Sequence, residues 1–254
     1  MTEIQNRLFL DLCKLRDILD NNGITYYLAY GTLLGAVRHQ GFIPWDDDID
    51  IYVKIKDIPH LRKVFEQESG SLRLHDYITH PDYPYSIPKI VDEKTILKER
   101  VFEHLDYECG VYIDIFPLIE IPDNPFWKCY LEVKRYCYYG LVRYYNRNQS
   151  RFGSLHRFIK RFINLRAVQR RMDNNLMSSH RRGKLLTEPL AFEERLKYPK
   201  QFFENTEVMS FEKELFKVPS LYKEYLGKTY GNYMQLPPEI ERQPKHDFFF
   251  KILD

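Results

Sequence analysis

A chain of 254 residues that is 44% hydrophobic and 29% charged suits one large domain, or a core with an appended lobe. Its 11 glycines and 14 prolines exclude a collagen, a low-complexity disordered chain and a bare coiled coil. With 38 Lys/Arg against 36 Asp/Glu the overall charge is nearly balanced, and no apolar run reaches the ~18 residues of a membrane-spanning helix.

The start, MTEIQNRLFLDLCKLRD, mixes charges into its apolar residues and lacks a signal-peptide core, so the cytoplasm is the expected compartment. Thr2-Glu3-Ile4-Gln5 has the form of a capping box. Ile4, Leu8, Leu12, Leu15, Ile18 and Leu19 then recur at helical spacing until Asn21-Asn22-Gly23 stops the helix. Residues 24–29 are β-branched and aromatic and predict a strand, followed by Gly31 and a short helix over 32–38. Gly41 and Pro44 mark a loop, and the alternation of 48–53 predicts a second strand. A helix over 58–68 and a strand over 86–92 follow. Across 110–116, Val111, Ile113 and Ile115 alternate with Tyr112 and Asp114.

Beyond Pro122 the pattern reads as mainly helical, with a basic amphipathic stretch at 154–172 and a tail of short helices and turns. The expected organisation is a mixed α/β (α+β) core at 1–120, a basic helical segment at 121–190 and a C-terminal helical cap at 191–254 completing the site. Four cysteines without a CxxC pair or a Cys/His cluster argue against zinc. The 20 tyrosines, against 17 phenylalanines, predict many buried rings that keep one polar end satisfied.

The informative stretch is GTLLGAVRHQGFIPWDDDIDIYV, residues 31–53. Asp48 and Asp50, two apart on a predicted strand, leave the same face, and Asp46 joins them if the strand begins early. Carboxylates this close repel each other unless a cation lies between them, and Mg²⁺ takes one or two carboxylates together with substrate phosphates. If the strand of Asp114 adjoins this one, three carboxylates converge on one or two metal ions. Gly31 and Thr32, opening a helix after a strand, offer backbone N–H groups to a phosphate, and Arg38 offers charge. Trp45 is either a ring for a choline-type cation or packing beneath the acidic loop.

This pattern resembles the nucleotidyltransferase fold and, more closely, the LicD family of phosphotransferases, to which fukutin-related proteins are similar. The resemblance rests on YLAYGTLLGAVRHQGFIPWDDDIDI (27–51), VYIDIFPL (111–118), YGNYMQLPPEIER (230–242) with His246, and more weakly on PKIVDEKTIL around Lys89. It implies a nucleotidyltransferase-like mixed sheet with a helical C-terminal half. It also implies that Asp48, Asp50 and Asp114 hold Mg²⁺ and act in catalysis. Gly31, Thr32 and Arg38 would bind the donor phosphate, and Lys89, Arg242 and His246 would make further phosphate or sugar contacts. Asn232 and Ile119 depart from the family pattern, where acids often stand, and bear on donor or acceptor preference.

The implied activity is Mg²⁺-dependent transfer of a substituted phosphate, foremost phosphocholine, from a CDP-linked donor such as CDP-choline. The acceptor would be a hydroxyl of a cell-surface glycan or glycolipid: lipopolysaccharide, teichoic acid or a capsule precursor. Transfer of a polyol phosphate or sugar phosphate, and a non-catalytic adaptor that binds membrane or RNA, remain the alternatives.

From Val133 to Met172 the chain has eleven Lys/Arg and no Asp or Glu. Such a segment is a basic helical lobe, a surface for peripheral membrane contact or, third, a nucleic-acid site. Nucleic acid is the least expected of these partners.

Overall fold

The computed structural model describes residues 1–80, 83–99, 107, 109–146, 164–177, 183–188, 196–244 and 248–253. His246 and most of the basic stretch at 154–172 lie outside them.

Helix α1 (Glu3–Asn21) opens on the expected capping box. The Gln5 N–H donates to Thr2 Oγ1 at 3.2 Å, and the Thr2 N–H to Gln5 Oε1 at 2.8 Å. The helix buries Leu8, Leu12, Leu15 and Leu19 against the sheet. Then come β1 (Tyr26–Leu28), α2 (Tyr30–His39), β2 (Asp50–Lys54), α3 (Ile58–Gln67) and β3 (Leu72–His75). Two long strands follow, β4 (Lys89–Glu99) and β5 (Cys109–Ile121), and then α4 (Pro125–Asn146) and α5 (Leu165–Met177). The remaining elements are β6 (Leu185–Thr187), β7 (Tyr198–Pro199), β8 (Thr206–Phe211), β9 (Glu214–Pro219), α6 (Tyr222–Tyr230) and β10 (Phe248–Ile252).

The main sheet runs β1-β2-β5-β4-β10, with β3 on the first half of β4 and β6 on the far end of β5. The β2–β5 pair is parallel; β1–β2, β4–β5, β3–β4 and β4–β10 are antiparallel. The fold is therefore a mixed α+β one, as the pattern of elements implies. Along β5, Val111, Ile113 and Ile115 are buried while Tyr112, Asp114 and Phe116 are half-exposed. One face joins the core and the other stays partly accessible.

The C-terminal half is less helical than its composition suggests. Strands β8 and β9 form a hairpin, and β10 returns to the edge of the main sheet. The hairpin packs on β1, and α6 packs on β9 and α2. Chain remote in sequence thus closes over residues 24–53. The expected tyrosine chemistry occurs at this junction. The Tyr27 hydroxyl donates to the Phe203 carbonyl at 2.6 Å, the Tyr52 and Tyr225 hydroxyls lie 3.2 Å apart, and those of Tyr198 and Thr229 lie 3.0 Å apart. Each ring fills core volume while its oxygen stays hydrogen-bonded.

Candidate active site

Strand register assembles the site. Asp50, the first residue of β2, sits opposite Asp114 in the parallel β2–β5 pair. Asp114 in turn pairs with Lys89 across β4–β5, and Lys89 with His75 across β3–β4. Residues in register share a face, so four neighbouring strands carry one rank of polar side chains, His75, Lys89, Asp114 and Asp50. With neighbouring strands roughly 4.8 Å apart, Asp50 and Asp114 are direct neighbours.

The ordering of β2 is local. The Asp50 N–H donates to Thr32 Oγ1 at 2.9 Å, and its carbonyl accepts from the Ala29 N–H at 3.0 Å. On the other side the Asp114 N–H reaches the Ile49 carbonyl at 2.9 Å. Thr32 is buried and spends its hydroxyl on the Asp50 backbone rather than on a free surface. The strand starts at Asp50, so Asp48 lies in the loop before it, half-exposed, and not on the strand as the alternation suggests. Pro44 and the turn at 44–45 keep the chain out of the sheet until Thr32 pins it.

The electrostatics are lopsided. Burial pushes the Asp50 carboxyl well above the usual carboxylate range, and the charges of Asp48, Asp114 and Asp46 push it further; Lys89 opposes them. Asp50 is therefore a buried acid short of positive charge. The Lys89 ammonium pairs with Asp114 Oδ1 at 2.5 Å and lies 3.4 Å from the centroid of the Tyr112 ring and 4.2 Å from that of Tyr85. Two ring faces and a carboxylate hold it in place.

Gly31 and Arg38 are placed by contacts of their own. The α-carbon of Gly31, at the start of α2, faces the Asp46 carboxylate so closely that a Cβ would collide with Oδ2. Asp46, a conditional member of the acidic set in the sequence, is part of this surface. Arg38 donates to the carbonyls of Tyr233 at 2.9 Å and Gln235 at 3.3 Å, tying the C-terminal segment to α2. Arg242 donates to the Pro237 carbonyl at 2.9 Å and lies over Trp45, 5.9 Å from the ring centroid. Trp45 is thus packed between Arg242 and His39.

Sequence reasoning did not single out Tyr230, Tyr85 or Tyr112. The Tyr230 ring is exposed along one side, but desolvation of its phenol end raises its pKa strongly and the Asp50 and Asp46 charges raise it further, so its hydroxyl stays neutral beside the acids. Its signal was the YGNY stretch, which shows no period and gains meaning only when α6 folds over the site.

The donor set tests the fit of a divalent ion. Among the described residues no three His, Cys, Asp or Glu side chains are gathered closely enough to hold an ion alone. Mg²⁺ needs no such cage when substrate phosphates complete its shell. The charge-starved Asp50, with Asp48 and Asp114 beside it, fits an ion shared with a phosphate ligand.

Acids and a caged lysine on one face of the sheet, beside the start of α2, form an arrangement suited to handling phosphate. Residues 23–140 match the family described as LicD/FKTN/FKRP, nucleotidyltransferase domain. The chain is 29% identical to the lipopolysaccharide cholinephosphotransferase LicD of Haemophilus influenzae, over 88% of this chain and 87% of that protein. It is 38% identical to the human ribitol 5-phosphate transferase FKRP over 55 residues, 22% of this chain and 11% of that protein. It is 28% identical to mannosyltransferase regulator 4 of Saccharomyces cerevisiae over 139 residues, 51% of this chain and 11% of that protein. Residues 23–140 are thus similar to the LicD-type nucleotidyltransferase domain, and the chain is an enzyme of the class that transfers substituted phosphate groups.

Proposed function

We propose that the protein moves phosphocholine from a CDP-linked donor to a hydroxyl of a cell-surface glycan, in a Mg²⁺-dependent reaction. The observation that carries this reading is the cross-strand rank of Lys89, Asp114 and Asp50, with Asp50 buried among like charges. Choline is favoured over a polyol because the cholinephosphotransferase relative aligns along nearly its whole length, whereas the ribitol phosphate relative aligns over a short stretch. A lipopolysaccharide-type acceptor follows from the same relative.

The acceptor oxygen attacks the phosphorus distal to the nucleoside, the bond from that phosphorus to the bridging oxygen breaks, and the nucleoside monophosphate leaves. Asp50, with Asp48 and Asp114, would hold Mg²⁺, which supplies charge neutralisation at the phosphate oxygens. Asp114, on the half-exposed face of β5, takes up the acceptor hydroxyl's proton. Lys89 presents fixed positive charge to the transferring group. The start of α2 at Gly31 and Thr32 directs its dipole toward the donor. Arg38 and Arg242 hold the 230–242 segment in place as the rim. Catalysis of this kind is mostly positioning and electrostatics, so the order of these groups matters more than any one nucleophile.

The test is CMP release from a panel of CDP-choline, CDP-ribitol and CDP-glycerol, with Mg²⁺ or with EDTA. CDP-choline should yield CMP only with the metal, and Asp50→Ala and Asp114→Ala should each lower the rate by ~100-fold or more. Full activity in either variant removes the proposed site. CMP from a polyol donor alone transfers the reading to polyol phosphate. Without release or thermal stabilisation by any nucleotide, the adaptor reading stands.

A further inference from the structure

Helix α4 is built inside out. It buries Arg135, 1% exposed, along with Leu131 and Tyr138, and turns Phe126 (70% exposed), Val133 (56%) and Tyr136 (72%) outward. Cys129 and Cys137 are exposed as well. Phe126, Cys129, Tyr130, Val133, Tyr136 and Cys137 are spaced three or four apart, so they share an arc of roughly 120° on the helix. Trp127 borders the arc, its ring 5.6 Å from that of Tyr130, and the Lys134 ammonium lies 4.6 Å from the centroid of the Tyr130 ring.

A helix that spends its inner face on an arginine and its outer face on phenylalanine and valine has not been shaped by water alone. Buried Arg135 is balanced by Glu132, 3.4 Å away, which also faces Lys197 at 3.7 Å. The nearest acid is thereby engaged with cations of the protein. Besides Arg135, the sequence from Val133 to Met172 holds ten further Lys/Arg and no acid. Helix α5 packs on α4 and exposes Arg166, Arg170 and Arg171.

We infer that the outer face of α4 docks on an anionic lipid bilayer, with Phe126, Val133 and Tyr136 entering the interface and Lys134 of α4 with Arg166, Arg170 and Arg171 of α5 facing lipid phosphates. Charge complementarity selects this occupant. A second copy would bring Lys134 and the exposed arginines of α5 against their own counterparts, with no acid between them from Val133 to Met172. A nucleic acid would meet the charge but gain little from valine, which gives a base nothing to stack on. Aromatic rings with flanking lysines are what an interfacial helix uses. Among the described residues no helix is long and apolar enough to cross a membrane, so the contact lies on the surface. This inference does not depend on which group the enzyme transfers.

The test uses the full chain and vesicles of phosphatidylcholine alone or mixed with phosphatidylglycerol. Sedimentation should show binding to the anionic vesicles only, weakening as salt rises. In a Trp45→Phe background, Trp127 emission should shift to the blue on binding. A Phe126→Ser/Val133→Ser/Tyr136→Ser variant should lose roughly tenfold in bound fraction, with unchanged melting temperature and unchanged CMP release on a soluble acceptor. The inference is overturned by equal binding to neutral vesicles or by undiminished binding of the variant. Preferential binding of single-stranded RNA, or a dimer that the variant dissociates, overturns it equally.

Discussion

Asp50 shows how function and stability pull apart at one residue. It is buried beside other acids, and its carboxyl is held well above the ordinary range by burial first and by Asp48, Asp114 and Asp46 second. A raised folded pKa means that the native state binds more protons than the unfolded chain at every pH between the two values. The contribution of Asp50 to stability is therefore fully present below the unfolded value of 3.8 and is lost as pH rises through the folded pKa. Asp50→Asn removes the charge and keeps the shape. Without added divalent ions it should be more stable than the natural protein at pH 8, by about 1 kcal/mol or more, and no more stable at pH 4. Urea unfolding at the two pH values checks this. A variant less stable at pH 8 would show that Asp50 is held by favourable partners rather than starved of them. Lys89 illustrates the opposite economy, a cation whose position is over-determined by Tyr85, Tyr112 and Asp114.

At the scale of the element, the short strand β3 has a clear electrostatic consequence. It holds His75 under the His80 ring, stacked at 3.6 Å, with Nδ1 2.7 Å from the Tyr107 hydroxyl. Burial, then the His80 charge, pushes His75 down to about 3 from 6.5. A depressed folded pKa reverses the sign seen at Asp50. Stability is complete above 6.5 and is lost as pH falls toward the folded value, by roughly 2 kcal/mol at pH 5. His75→Phe should cost some stability at pH 7 through the lost Tyr107 bond, yet flatten the decline between pH 7 and pH 5. Denaturant midpoints at both pH values for the two proteins decide it; parallel declines would assign the acid sensitivity elsewhere.

The same strand was invisible in the sequence. Four residues, Leu-Arg-Leu-His, are too few for a period, and only the longer β4 gives them a partner. The β8–β9 hairpin escaped for a different reason. Its turn residues Glu212 and Lys213 both have positive φ, at 50° and 72°, a conformation usually signalled by glycine or asparagine. By contrast α1, β2 and β5 were legible through the capping box and clean alternation. Asp50 and Asp114 were legible for that reason, since a charged residue within an apolar strand stands out. Asp46, Tyr85 and Tyr230 carry no such local contrast, because tertiary contact alone brings them to the acids.

The whole molecule depends on chain well beyond residues 23–140 closing the site. Tyr225 on α6 makes that closure concrete. Its hydroxyl accepts the Tyr30 N–H at 3.2 Å and meets the Tyr52 hydroxyl, also at 3.2 Å. Tyr30 sits at a positive φ of 40° at the head of α2, one residue before Gly31 and beside the Ala29–Asp50 backbone bond. Tyr225→Phe leaves a buried hydroxyl and a backbone N–H short of a partner, which costs roughly 1–3 kcal/mol. It also loosens the turn at the head of α2, which the proposed mechanism directs at the donor, so kcat should fall beyond what the lost stability explains. Tyr26→Phe is the matched control. Its hydroxyl accepts the Lys217 N–H at 3.4 Å, on the β9 side and away from the acids. That variant should lose stability while keeping kcat. The comparison is read from urea midpoints and CMP release side by side. If both variants reduce turnover equally, α6 acts as ordinary packing; if Tyr225→Phe alone does, the C-terminal segment positions the head of α2 for catalysis.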